Sequence, residues 1–161
     1  MKRRVRFKRR RQGKTDYKAR LTLLKSGKFR LVARKTSNNI IAQIVNYLPE
    51  GDEVMVSVDL IQLKKEFGWQ GGSNVPAAYL VGYLLGQRAK KHKISEAILD
   101  VGMHPATKGG KMFAIVKGAI DAGLTVPCDE GVFPSEDRIK GKHIKDGDVE
   151  KQFEELKSKV K

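Results

Sequence analysis

Residues 29–58, FRLVARKTSNNIIAQIVNYLPEGDEVMVSV, decide the fold. Phe29, Leu31 and Ala33 alternate with Arg30, Val32 and Arg34, the pattern of a strand with one basic edge or face. Lys35-Thr36-Ser37-Asn38-Asn39 has turn composition. Ile40–Val45 (IIAQIV) reads as a second strand. Tyr47–Asp52, with Pro49 and Gly51, reads as another turn, and Glu53–Val58 (EVMVSV) as a third strand. Strands joined by such short turns predict an antiparallel meander.

Toward the C-terminus the pattern changes. Leu60–Phe67 predicts a short helix. Gly71–Asn74 leads into a long one with Pro76 in its first turn, where a missing N–H costs nothing. Ala77, Leu80, Val81, Leu84 and Leu85 fall at helical spacing and form a buried stripe. Gly82 and Gly86 interrupt this helix at roughly 1 kcal/mol each relative to Ala. Both lie on one face, and close contact with the sheet is the expected reason. Ala97–Val101 (AILDV) predicts a fourth strand, Met112–Ala122 an amphipathic helix ended by Gly123, and Leu124–Val126 a fifth strand stopped by Pro127. Strand, helix, strand, helix, strand implies parallel pairing through right-handed crossovers. Cys128–Lys145 is loop-rich. Asp148–Val160 predicts a last helix with Val149, Phe153, Leu156 and Val160 on one face.

The fold class is therefore α/β: a mixed sheet in which an antiparallel three-strand meander is followed by αβαβ, a ribonuclease-H-like sandwich. A basic N-terminal arm and a C-terminal helix are added to it. Residues 1–14 read as an extended arm, 15–127 as the α/β domain, and 128–161 as a loop and helix extension.

Toward the N-terminus the charge becomes decisive. Residues 1–35 hold 16 of the 33 Lys and Arg and a single acid, Asp16, while the rest is balanced, so the whole net charge of +15 sits at one end. Met1–Lys14 (MKRRVRFKRRRQGK) is too charged to pack and is expected to stay extended until it meets its partner. Thr15 or Asp16 reads as a helix N-cap. Behind it Tyr17, Leu21 and Leu24 form one apolar stripe, with Lys18, Arg20 and Lys25 on the other face. A near-neutral body with a cationic end is built to hold a polyanion.

Other classes fit poorly. The single cysteine, Cys128, excludes an internal disulfide framework and suits a reducing, intracellular setting. No apolar run approaches the ~20 residues of a membrane span. The basic start has no apolar segment behind it, so it is not read as a secretory signal. It also lacks the apolar face that binding to a membrane surface requires.

Phosphate neutralisation with counterion release gives affinity without sequence readout. Arg outnumbers Lys in Met1–Arg11, and its planar fork suits both phosphate and stacked bases. The candidate contacts there are Lys2, Arg3, Arg4, Arg6, Phe7, Lys8, Arg9, Arg10, Arg11 and Lys14, continued by Tyr17, Lys18 and Arg20. Phe7 and Tyr17 offer stacking platforms. Arg30, Arg34 and Lys35 extend the basic surface onto the first strand. Ser37, Asn38 and Asn39 at the hairpin tip either donate to phosphate and 2′-OH groups or simply favour a turn.

Trp69, in the Gly68–Asn74 loop before a helix, either stacks on a base or packs in the core; it stays among the candidate contacts. Lys108-Gly109-Gly110-Lys111 lacks the GKS/GKT ending of a P-loop, so Lys108 and Lys111 are candidate RNA contacts rather than part of a nucleotide hydrolase. Arg138, Lys140, Lys142, His143 and Lys145, flanked by Glu136, Asp137, Asp146 and Asp148, form either a solvated loop or a second binding element.

A metal-dependent nuclease is the alternative on such a fold. It needs several converging carboxylates. Asp59, Asp100 and Asp121 are available, but the first strand carries arginines where that enzyme class places an acid. His92, His104 and His143 are scattered, and one Cys cannot build a zinc site. A non-specific RNA chaperone is the other alternative. No metal or cofactor is expected.

Several segments agree in order and spacing with a known family: Thr15-Asp16-Tyr17 with Ala19-Arg20-Leu21, RLVARKTSNNIIAQIV, FGW…SNVPAAYLVGYLLG, and AILDVGM…KGGKMFAIVKGAIDAGL. Over nearly the whole chain the sequence resembles the universal large-subunit ribosomal protein eighteen family, in its archaeal form. This is a 5S-rRNA-binding family whose eukaryotic counterpart is large-subunit protein five. The resemblance implies a non-enzymatic protein, cytoplasmic and ribosome-bound, that helps anchor 5S rRNA to the 23S-type rRNA in the central protuberance beside neighbouring ribosomal proteins. It also implies that Lys2–Arg11, Tyr17, Arg20, Arg30, Arg34, Lys35, Ser37, Asn38 and Asn39 meet 5S rRNA. Bacterial members carry Arg, Tyr and His after the fourth strand. Here that loop is Val101-Gly102-Met103-His104-Pro105, and the contact is expected to pass to Lys108 and Lys111. The stretch beyond Val126, where bacterial forms stop, is expected to touch 23S-type rRNA or a neighbouring protein.

Overall fold

A computed structural model describes residues 5–144 and 148–160. Along the chain run α1 (Lys8–Arg11), α2 (Tyr17–Leu24), β1 (Arg30–Lys35), β2 (Ile40–Asn46), β3 (Glu53–Asp59), α3 (Leu60–Phe67), α4 (Val75–Lys91), β4 (Ile98–Asp100), α5 (Lys111–Asp121), α6 (Glu136–Lys140) and α7 (Asp148–Lys159).

The strand order is β3-β2-β1-β4. The meander forms as expected, with Arg30 opposite Val45 in β1/β2 and Ile41 opposite Asp59 in β2/β3, both antiparallel. β4 joins β1 in parallel, Arg30 opposite Ile98. Period-two alternation sends Leu31, Ala33, Ile40, Ala42, Ile44, Val56 and Val58 to one face, where they are buried. α4 covers β2 and β3, and α5 covers β1. The opposite face keeps Val32, Arg34, Gln43 and Ser57 half-buried, with Gln43 Nε2 donating to Ser57 Oγ across the strands at 3.2 Å.

Four expectations need correction. Leu124–Val126 does not form a fifth strand; a single parallel bridge joins Glu96 and Thr125. Pro127 removes the next donor, and β4 is only three residues long, so the ladder cannot extend. Gly82 and Gly86 do not face the sheet but α5: a Cβ at Gly82 would lie 2.0 Å from the Ile115 carbonyl oxygen, and one at Gly86 would lie 2.6 Å from Ala122 Cβ. The Tyr17/Leu21/Leu24 stripe does not reach the core: no α2 residue is buried, Tyr17 and Leu24 are only half-buried, and Leu21 stays 57% exposed. The arm is not wholly extended, because Lys8–Arg11 makes one helical turn.

The region read as loop-rich also holds the short helix α6, capped at its end by Gly141 with φ +84°. α7 presents the predicted face, with Val149, Phe153, Leu156 and Val160 buried in the same core as α4, and Phe153 lies 5.5 Å from the Tyr79 ring.

Candidate nucleic-acid interface

α2 begins where the sequence places its cap. The Asp16 carboxylate accepts from Lys18 N at 2.9 Å and Ala19 N at 3.2 Å, so this one acid of the basic region is engaged within its own helix. The arm folds back onto α2. Arg9 Nε donates to Thr15 Oγ1 at 2.9 Å, and the Phe7 and Tyr17 rings lie 5.3 Å apart. Arg6, Lys8, Arg10, Arg11, Lys14 and Lys18 are exposed. Lys2, Arg3 and Arg4 lie outside the described residues.

Arg20 does not face free solvent. Its Nη2 donates to both oxygens of Asp52, each at 2.8 Å. From there charges alternate across the open face of the sheet. Arg30 Nη2 lies 2.7 Å from Asp52 Oδ2, Arg30 Nη1 donates to Asp100 Oδ2 at 3.0 Å, and Arg34 Nη2 donates to Asp100 Oδ1 at 3.0 Å. Arg34 Nη1 also donates to the Ala33 and Asp100 carbonyls. Arg30 is 2% exposed, so its sequence-based assignment as an RNA contact is corrected: it is the buried link of this chain. Its contact with Asp52 is at ion-pair distance but off hydrogen-bond geometry, leaving Nη2 and Nε without a hydrogen-bond partner among the described residues. Partial burial pushes the Asp52 carboxyl up, but the two-pronged hydrogen bond from Arg20 and the charges of Arg30 and Arg20 outweigh it and hold the group below the usual carboxylate range.

Arg34 remains partly accessible, its guanidinium lying against Gly102. A Cβ there would stand 2.8 Å from Arg34 Cζ, and the left-handed backbone at φ +60° favours glycine. Between α2 and the β1/β4 edge lies a cleft of about 600 Å³. Lys14, Lys18 and Arg20 line one side, Arg34 the other, and Leu23 and Leu99 supply apolar lining.

The hairpin tip is self-bonded: Asn39 N donates to Thr36 Oγ1 at 2.9 Å, and Ile40 N to Asn39 Oδ1 at 2.9 Å. The Asn39 oxygen therefore serves the turn, whereas Ser37 and Asn38 are exposed. Beside the hairpin the structure gathers residues that the sequence leaves apart. Burial, then Arg34 and Lys35, hold the His104 imidazole below its ordinary pKa. Burial, then Lys35, do the same for Lys111, whose Nζ donates to Ser73 Oγ at 3.3 Å. Arg34 and Lys35 thus bring positive charge to one corner beside the His104 imidazole, and Lys35 acts on Lys111 as well. No spacing in the sequence singles out His104; only the fold brings it there. Lys108 is exposed in the adjoining loop.

Trp69 is corrected as a contact. It is 2% exposed, its Nε1 donates to Gly72 O at 3.4 Å, and a Cβ at Gly71 would come within 2.5 Å of its ring. Gly71 makes room for the indole, and the Gly72 carbonyl accepts its N–H. In the second basic cluster Lys142 pairs with Asp137 at 2.9 Å, while Lys145 and Asp146 lie outside the described residues. The candidate metal acids do not converge. Asp59 caps α3 by accepting from Gln62 N at 2.7 Å, Asp100 sits between arginines, and Asp121 accepts from Tyr79 OH at 2.8 Å.

A mixed α/β domain that fixes cations on one folded edge, beside a flanking cationic segment, is a polyanion-binding module. Residues 1–96 and 87–129 match the family described as ribosomal large subunit proteins 60S L5 and 50S L18. The large ribosomal subunit protein uL18 of Methanothermobacter thermautotrophicus is 53% identical over 154 residues, covering 95% of this chain and 80% of that protein. Those of Caldivirga maquilingensis (54% over 141 residues; 87% and 68%) and Korarchaeum cryptofilum (49% over 158; 92% and 80%) are similarly related. The chain belongs to this family of large-subunit ribosomal proteins.

Proposed function

We propose that this protein is a structural constituent of the large ribosomal subunit that binds 5S rRNA and helps anchor it to the large-subunit rRNA in the central protuberance. The role is architectural, not catalytic. One observation carries the RNA reading: Lys14, Lys18, Arg20 and Arg34 line a single cleft on the folded edge, beside the exposed cations of the arm. A flexible tail alone binds any polyanion. Cations held at fixed spacing select a shape, which is how structured RNA is read. The acids a nuclease would need are each committed to a cap, a buried ion pair or a phenol. The site residues named on the arm, hairpin and Lys108–Lys111 loop are proposed contacts on the same grounds.

The test is competition between 5S rRNA and an unrelated folded RNA across a salt series. Affinity should fall ~10³–10⁵-fold between about 50 and about 200 mM salt for 6–10 phosphate contacts, with 5S rRNA preferred throughout. Deleting Met1–Lys14 should flatten the salt slope. Loss of the preference at physiological salt would count against specific recognition and for a general RNA chaperone.

A further inference from the structure

We propose that Asp52 is a positioning residue: its carboxylate latches the basic helix α2 against the sheet and thereby sets which RNA the protein prefers. This rests on the RNA-binding reading above and deepens it.

Among the described residues, 5–27 reach the fold beyond residue 28 through one hydrogen-bonded tie, the two-pronged bond from Arg20 Nη2 to Asp52. No α2 side chain is buried, and Tyr17, Leu23 and Leu24 reach only half-burial, so this ion pair is the polar tie that fixes where the helix sits. The arm travels with α2, through Arg9 on Thr15 and Phe7 against Tyr17. Asp52 is in turn oriented from beneath by Arg30, 2.7 Å away and buried, which Asp100 fixes from its other side. The latch therefore has a rigid side, the sheet, and a movable side, α2 with the arm.

That geometry determines the spacing of cations. Lys14, Lys18 and Arg20 stand on the α2 side of the cleft and Arg34 on the sheet side. Closed, the two sets meet an RNA as one shape. Open, the same charges form a flexible polyelectrolyte that any phosphate backbone satisfies. An acid in a cationic interface would ordinarily weaken RNA binding, and removing it would strengthen binding to every RNA. The latch predicts a different outcome: removing Asp52 keeps or raises affinity for arbitrary RNA and lowers discrimination.

The experiment uses full-length Asp52→Asn, Arg20→Gln and the double variant, with 5S rRNA competed against an unrelated folded RNA at physiological salt. Hydrogen exchange of the α2 amides is followed in parallel. Asp52→Asn should bind the unrelated RNA at least as well as the wild type, lose about fivefold of its preference for 5S rRNA, the scale of one surface ion pair, and exchange faster in α2. In the Arg20→Gln background, adding Asp52→Asn should change the preference no further, because both substitutions open one latch. Arg20→Gln sits on an exposed helix and leaves Arg30 untouched, so it tests the latch even if Asp52→Asn folds poorly. Retained preference in Asp52→Asn, or two preference losses that multiply in the double variant, overturns the proposal while leaving 5S rRNA binding intact. A wild type without preference overturns the RNA reading and the selectivity role together.

Discussion

Gly82 of α4 lies so close to Ile115 of α5 that a Cβ on it would stand 2.0 Å from the Ile115 carbonyl oxygen. The approach is reciprocal: a Cβ on Gly118 of α5 would stand 2.2 Å from the Tyr79 carbonyl oxygen of α4. The two helices meet backbone to backbone, and neither atom in the way is the end of a flexible side chain. Gly82→Ala should gain about 1 kcal/mol of helix propensity and lose more to the separation it forces. The expected net cost is about 2–3 kcal/mol, read as a lower urea midpoint, and Gly118→Ala should behave alike. An unchanged midpoint for either would mean that the helices can part without losing the core.

The Arg30–Asp100 pair predicts an asymmetry. Asp100→Ala strips the hydrogen-bonded anion from a guanidinium that is 2% exposed, and removing one partner of a buried pair costs about 3–5 kcal/mol. Arg30→Met should cost less, because Asp100 keeps Arg34 and the Gly102 N–H, which donates at 2.9 Å. Asp52→Asn, at the more exposed end, should cost about 1 kcal/mol or less. Its folded-state pKa is lowered, so its contribution is full above the ordinary carboxylate range and is lost as pH falls through the depressed value. Urea midpoints for the three variants give the order directly; Asp52→Asn as the worst of them would contradict the burial argument.

Tyr79 supplies a pH prediction of opposite sign. Burial pushes its phenol far up, and the hydrogen bond to Asp121 and that group's charge add to the shift. Because the folded-state value is raised, the contribution is full below about pH 10 and is lost as pH rises above it. In an alkaline titration followed by tyrosinate absorbance, one equivalent should appear only with cooperative unfolding. Tyr79→Phe should remove that lagging equivalent and cost about 1 kcal/mol of stability. A wild type in which every tyrosine titrates before the near-ultraviolet dichroism changes would rule this out.

Sequence patterning revealed the meander because Leu31, Ala33, Ile40, Ala42, Ile44, Val56 and Val58 alternate without interruption, and burial follows alternation. It placed glycines 82 and 86 on one face but not against their partner, since spacing reports a face and never what covers it. Charge counting found the basic end but could not tell a surface arginine from a buried one. Arg30 and Arg34 read alike in sequence. The former is buried between Asp52, 22 residues on in the chain, and Asp100, 70 residues on. The α2 stripe misled because amphipathic spacing shows that a helix can bury a face, not that the fold offers a surface to bury it on.

The corner formed by Arg34, Lys35 and His104 yields a spectroscopic test of the interface. In the free protein, partial burial and then the two cations hold His104 below the ordinary histidine pKa, so it is neutral near pH 7. Phosphate groups arriving at Arg34 and Lys35 would reverse the local field and favour the imidazolium. The His104 pKa, followed by ring carbon chemical shifts, should therefore rise when 5S rRNA binds. Linkage fixes the sign of the companion measurement: if binding raises the pKa, lowering pH through the histidine range must strengthen binding, and His104→Gln must flatten that dependence. A His104 pKa that stays put in the complex would place the phosphates elsewhere and exclude the Arg34–Lys35 corner from the interface.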